Sequence, residues 1–121
     1  MTSWKKLRMD KCIFCQIIKG QIPSKPVYQD DAVIVIHDIH PQAPVHLLVI
    51  PKQHVTDIME MTIDEYVSFM KSVREVIQRE HVKQFRLVHN GKGAQFVPHA
   101  HVHIMGQIAA DRNLWFRGII D

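Results

Sequence analysis

The stretch His99-Ala100-His101-Val102-His103-Ile104-Met105 constrains the fold more than any other part of this chain. Its alternation has period two, and an extended strand converts such a pattern into two chemically distinct faces. His99, His101 and His103 then share one face, and Ala100, Val102 and Ile104 share the other. At a rise of about 3.3 Å per residue, neighbouring imidazoles start roughly 6.6 Å apart, within joint reach of one phosphate or metal ion. The plain alternative is a half-buried strand whose solvent-facing slots happen to hold histidine. Three of the chain's nine histidines in strict alternation favour a site.

The remaining periodicities supply the elements around that strand. Cys12 to Gly20 reads as a cysteine knuckle and a short helix with Gly20 as its stop, and Pro23 and Pro26 punctuate the exit. Val27–Gln29, the run Ala32–Asp38 (AVIVIHD) and His46–Ile50 (HLLVI) have strand character. Thr62-Ile63-Asp64-Glu65 has the capping-box pattern and opens a helix from Ile63 to about Glu80. Its apolar stripe is Ile63, Tyr66, Val67, Met70, Val73 and Ile77, widened by Phe69 and Val76, and reads as core. Phe85–His89 and Val97–Met105, joined by the Gly-rich turn Asn90–Gln95, read as a hairpin. Strands clustered around one long helix define an α+β class with an antiparallel sheet. Gly106 to Asp121 reads as mostly coil with an aromatic pair, Trp115-Phe116.

A chain of 121 residues is sized for one domain. Residues 1–11, with Lys5, Lys6, Arg8 and Lys11, read as a flexible N-terminal tail, and 12–121 as the single domain. A net charge of +3 suits an anionic ligand, but the basic residues are scattered and argue against nucleic acid as a partner. No apolar run is long enough for a membrane span and no signal-peptide pattern opens the chain, so the expected location is cytoplasmic.

Three loci besides the histidine strand could carry chemistry. Gly91 and Gly93 would let backbone N–H groups approach a phosphate, although a tight turn explains them equally well. Cys12-x-x-Cys15 has half-site spacing for zinc, with His54 and one histidine of the strand as candidates to complete it; a reduced, buried pair is the alternative. Asp38 could hold sugar hydroxyls or merely cap a turn. His37, His81 and His89 look incidental.

On these residues the chain resembles the HIT (histidine triad) family. The His-φ-His-φ-His-φ-φ pattern of 99–105 carries the likeness. Phe14 with Ile17 and Ile18 extends it, as do His37-Asp38-Ile39-x-Pro41-Gln42-Ala43-Pro44-x-His46, Val49-Ile50-Pro51-Lys52-x-His54, and Asn90 with Gly93-x-Gln95-x-Val97. The likeness runs from Cys12 to about Gly106 and is strongest to the histidine-triad nucleotide-binding (Hint) branch of the Cys-x-x-Cys, zinc-bearing bacterial type. It implies a five-stranded antiparallel sheet with one long and one short helix, and a homodimer formed through the long helix and hairpin strand.

The resemblance also implies a purine-nucleotide hydrolase or transferase acting on AMP- or GMP-type phosphoramidates. His101 would attack the α-phosphorus to form a nucleotidyl-histidine, His103 would bind phosphate oxygens, and His46 would support the array. Asn90, Gly93 and Gln95 would hold phosphate and Asp38 the ribose. Phe14, Ile17, Ile36 and Ile39 would surround the base. Structural zinc would sit on Cys12, Cys15, His54 and His99. A dinucleoside polyphosphate hydrolase, a binding module with vestigial catalysis, and a catalytic metal on the His-x-His pair are the competing functions. Phe96 stands where many phosphoramidase-type members carry a small hydroxyl residue, which leaves the leaving-group preference open.

Overall fold

In the computed structural model, which describes Met9 and residues 11–109, the strand-forming runs assemble into one five-stranded antiparallel sheet. Its strands are β1 (Tyr28–Gln29), β2 (Val33–His37), β3 (Val45–Pro51), β4 (Arg86–His89) and β5 (Val102–Gly106), in the order β1-β2-β3-β5-β4. A short helix α1 (Ile13–Ile18) precedes them, and the long helix α2 (Ile63–Arg79) connects β3 to β4 after a 3-10 turn at Ile58–Glu60. The α+β class and the strand and helix inventory are those expected. Most of the predicted N-terminal tail, and residues 110–121 with Trp115 and Phe116, lie outside the described residues.

Local chemistry sets the helix ends. Gly20, at φ +75°, ends α1: its N–H donates to Ile17 O at 3.1 Å and that of Gln21 to Gln16 O at 2.8 Å. This is the paired closure that a left-handed residue permits. Thr62 and Glu65 form the predicted capping box, with Glu65 N–H donating to Thr62 Oγ1 at 3.1 Å and Thr62 N–H to Glu65 Oε1 at 2.8 Å.

Both faces of the sheet are covered, and the period-two parity of each strand sorts its residues between them. Val33, Val35, Leu47, Val49, Val102 and Ile104 pack against Phe69, Val73 and Val76 of α2. Ile34, Leu48 and Ile50 pack on the other face with Cys12, Phe14 and Cys15. The helix stripe is rotated from the one expected. Phe69, Ser72, Val73 and Val76 are its buried residues, whereas Ile63 is 77% exposed and Tyr66 and Val67 remain partly open. The apolar band of α2 is wider than one sheet face can cover, so part of it stays outside.

The histidine strand also starts later than expected. β5 begins at Val102, and the connection from β4 runs through Asn90–His101. Pro98 has no N–H to offer a ladder. His99 N–H instead turns back to Val97 O at 2.8 Å, and Ala100 N–H goes to Val55 O at 2.7 Å. The short hairpin turn expected from the sequence is therefore a longer folded loop. Its side chains keep the strand's parity: Ala100 is buried, and His99 and His101 both meet Phe14.

Candidate active site and metal cluster

The short α1 covers only part of its face of the sheet, and the histidines occupy what lies beside it. Phe14 packs edge-on against His101 and His99, with ring centroids 5.1 and 5.8 Å apart. His46 on β3 pairs with Met105 in the β3–β5 register, which makes it a diagonal neighbour of His103. Their rings meet at 2.9 Å, His46 Nε2 to His103 Nδ1.

The hydrogen bonds assign a tautomer to each neutral imidazole. Gln42 N–H donates to His46 Nδ1 at 3.0 Å, so His46 carries its proton on Nε2 and donates to His103 Nδ1. His103 is then left with Nε2–H as its free donor. His101 donates Nδ1–H to His99 O at 2.7 Å, which leaves a lone pair on Nε2. One ring thus offers a nucleophilic nitrogen and the adjacent ring, 5.1 Å away between centroids, offers a donor. Burial disfavours the charged form of both. It pushes His103 down to about 4, helped by the neighbouring His101 and His46, and it lowers His101 against the opposing hydrogen bond to His99 O.

Asp38 joins this group from the end of β2. Its Oδ1 accepts from His40 N–H at 2.8 Å, and its Oδ2 lies 3.4 Å from His46 Nε2 and 3.9 Å from His103 Nδ1. It caps a turn, as one reading of the sequence has it, and also faces the imidazoles. A cavity of about 490 Å³ opens beside it, and every apolar residue expected around a base lines it: Phe14, Ile17, Ile36 and Ile39. Ile39 stands on its rim, 86% exposed, and His37 lines it too.

The loop after β4 is folded against residues 55–58. Gln95 donates its amide N–H groups to Thr56 O at 2.9 Å and Asn90 O at 3.0 Å, which fixes the orientation of the amide; its Oε1 is buried without a partner among the described residues. Asp57 accepts from Lys92 N–H at 2.8 Å and Met59 N–H at 2.9 Å, and these bonds hold its carboxyl below the ordinary range. Gly93, at φ +91°, requires glycine, whereas Gly91 is not in the left-handed region. Phe96 is fully exposed.

His99 turns its ring nitrogens to Pro51 O and the cysteines. It donates Nε2–H to Pro51 O at 2.8 Å, leaving Nδ1 as a lone pair 3.4 Å from Cys12 Sγ and 3.6 Å from Cys15 Sγ. His54 Nδ1 completes the cluster, 3.1 Å from both Cys15 Sγ and His99 Nδ1. A tetrahedral ion with Zn–S of about 2.3 Å and Zn–N of about 2.0–2.1 Å separates its donors by roughly 3.3–3.8 Å. The four groups Cys12, Cys15, His54 and His99 are compatible with such an ion. Burial, then the adjacent Cys12, pushes the Cys15 thiol up to about 12, so a thiolate there needs a cation to balance it.

Asp38, His46 and His103 form another grouping of metal-ligating type, but it is wired against a metal. A cation on His46 Nε2 would move the ring proton to Nδ1, against the N–H of Gln42. This opposes a catalytic metal held by His46.

His89, taken as incidental from the sequence, is bonded at both ring nitrogens. Nδ1 donates to His101 O at 3.0 Å, and Nε2 accepts from Ile58 N–H at 3.3 Å. Thr56 and Asp57 also hold the loop after β4, through Gln95 and Lys92, and partners so distant in the chain leave no spacing signal.

With this geometry in place, comparison with known proteins defines the class. The chain belongs to the HIT domain family, whose model matches residues 19–109. It is 41% identical over 105 residues to an uncharacterized HIT-like protein of Methanocaldococcus jannaschii, covering 83% of this chain and 81% of that one. It is 38% identical over 104 residues to the protein HitA of Neisseria gonorrhoeae, covering 81% and 97%. Among solved structures, a HIT family hydrolase from Clostridium thermocellum superimposes with a TM-score of 0.75 at 36% identity, over 84% of this chain and 95% of that one.

Proposed function

We propose that this protein is a Hint-like phosphoramidase that cleaves purine nucleoside phosphoramidates of the AMP-amine type. His101 Nε2 attacks the α-phosphorus, the phosphorus–nitrogen bond to the leaving amine breaks, and a nucleotidyl-histidine forms; water then cleaves it to the nucleoside monophosphate and free His101. Negative charge gathers on the phosphoryl oxygens as the bond forms, where His103 Nε2–H can donate to it. Asn90 and the backbone N–H groups near Gly93 hold the phosphate, Gln95 braces that loop through Thr56 O and Asn90 O, and Asp38 takes the ribose hydroxyls at the mouth of the apolar cavity. The observation that carries this reading is the tautomer pair: a lone pair on His101 Nε2 beside a donor on His103, set by Gln42 N–H and His99 O.

Zinc fits the donor set of Cys12, Cys15, His54 and His99. Bound there, it would supply a structural anchor tying the Cys12 knuckle to His99, two residues before the nucleophile. The protein is a homodimer in this reading, for Tyr66 and Val67 on α2 and Leu87 on the edge strand β4 leave apolar surface open. Sedimentation at the monomer mass would remove that part. The free, buried cysteines suit the cytoplasm.

Substitution His101→Asn tests the function. Turnover of an adenosine phosphoramidate should vanish while AMP still binds; turnover equal to the wild type would overturn the mechanism. Faster cleavage of a dinucleoside polyphosphate than of the amidate would reassign the substrate, and AMP binding without turnover of either would leave a binding module.

A further inference from the structure

His101 sits at a weak point of the sheet. The β4–β5 ladder ends at the pair His89↔Val102, and the β3–β5 ladder ends at Val49↔Val102. The carbonyl of His101 is therefore one residue beyond both ladders. The side chain of His89 fills that place, donating Nδ1–H to His101 O at 3.0 Å. Its other nitrogen accepts from Ile58 N–H at 3.3 Å, so a backbone group on each side holds the ring in one tautomer.

The three residues before Ile58 bind the connection from β4 to β5. Val55 O takes Ala100 N–H at 2.7 Å, Thr56 O takes the Gln95 amide at 2.9 Å, and the Asp57 carboxylate takes Lys92 N–H at 2.8 Å. Segment 55–58 thus acts as a template on which the whole connection from β4 to β5 is laid. His89 is its point of contact with the backbone of the nucleophile.

We infer that His89 is a positioning residue for His101, a role that rests on His101 being the nucleophile. By holding the His101 carbonyl, it fixes the backbone from which that imidazole projects. The imidazole is held a second time, by Nδ1–H on His99 O. With both held, the Nε2 lone pair keeps one direction, and a misdirected nucleophile loses rate steeply with displacement.

The test compares His89→Phe, which keeps a ring and loses both bonds, with His89→Asn. The amide nitrogen of asparagine sits where Nδ1 sits and can donate to His101 O, but the residue has no group at the Ile58-facing position. The phenylalanine variant should lose about 10-fold or more in kcat on an adenosine phosphoramidate, with KM and AMP affinity within about twofold. The asparagine variant should recover most of kcat although it too lacks the Ile58 bond. A merely structural role predicts that both lose alike, in parallel with thermal stability. Nitrogen-detected NMR of the His101 imidazole reads the same point without turnover: its Nδ1–H signal should shift and exchange faster in the phenylalanine variant and be retained in the asparagine variant. Wild-type kcat in a folded His89→Phe, or an unmoved His101 signal in that variant, overturns the inference. A wild-type enzyme that turns over no nucleotide substrate removes the proposed function instead, and the imidazole signal alone then decides the role of His89.

Discussion

Replacing Cys15 by alanine separates a metal centre from a pair of buried thiols. Cys15 is 3% exposed, and its Sγ lies 3.1 Å from His54 Nδ1 and 3.6 Å from His99 Nδ1. As a plain core residue it would lose one heavy atom, a truncation that costs on the order of 1 kcal/mol. As a zinc ligand it supplies one of four donors, and binding to the folded state alone contributes about 4 kcal/mol when free metal exceeds its dissociation constant about 1,000-fold. For a domain of this size 1 kcal/mol moves Tm by roughly 4 °C. Thermal unfolding followed by circular dichroism, with and without a strong chelator, reads the difference, and elemental analysis reads the metal. The chelator should lower the wild-type Tm by more than about 10 °C and move Cys15→Ala by only a few degrees. A wild-type Tm indifferent to the chelator, in protein that carries no metal, would refute the assignment. An equal chelator shift in both proteins would refute it too, by placing the metal elsewhere.

Two further outcomes follow from the site. His103 is held down to about 4 from an ordinary 6.5, so the fold prefers its neutral form. Its contribution is complete above about pH 6.5 and is lost as pH falls from there toward 4, by on the order of 3 kcal/mol. Urea unfolding of the wild type and His103→Asn between pH 7 and pH 4 should show the steeper acid loss in the wild type, and parallel curves would count against it. Gly93→Ala places a Cβ at φ +91°, which costs on the order of 1–2 kcal/mol whatever the space around it. AMP affinity should weaken along with Tm; an unchanged affinity would show that Gly93 shapes the loop without serving the phosphate.

Much of the architecture was legible because it depends on local periodicity. The capping box at Thr62, the stop at Gly20 and the parity of β2, β3 and β5 each arise from neighbours in the chain, and each appears where its pattern stands. The errors came where an element's environment mattered. Tyr66 and Val67 fit a helical stripe, yet the sheet covers only the strip centred on Phe69, Val73 and Val76. Val97–His101 alternates like a strand, yet Pro98 and the carbonyl of Val55 draw its backbone out of the ladder.

The sequence by itself determined that three imidazoles share a face opposite Ala100, Val102 and Ile104, because side-chain parity follows from the chain's own geometry. It also brought Cys12 and Cys15 within one turn of each other. What each imidazole can do was decided only by tertiary structure. Pro51 O, 48 residues from His99, takes its Nε2–H and turns Nδ1 toward the cysteines. His46, 57 residues from His103, leaves that ring its Nε2–H as a donor. A histidine's proton follows whichever carbonyl or ring lies within about 3 Å, and that neighbour is chosen by the fold.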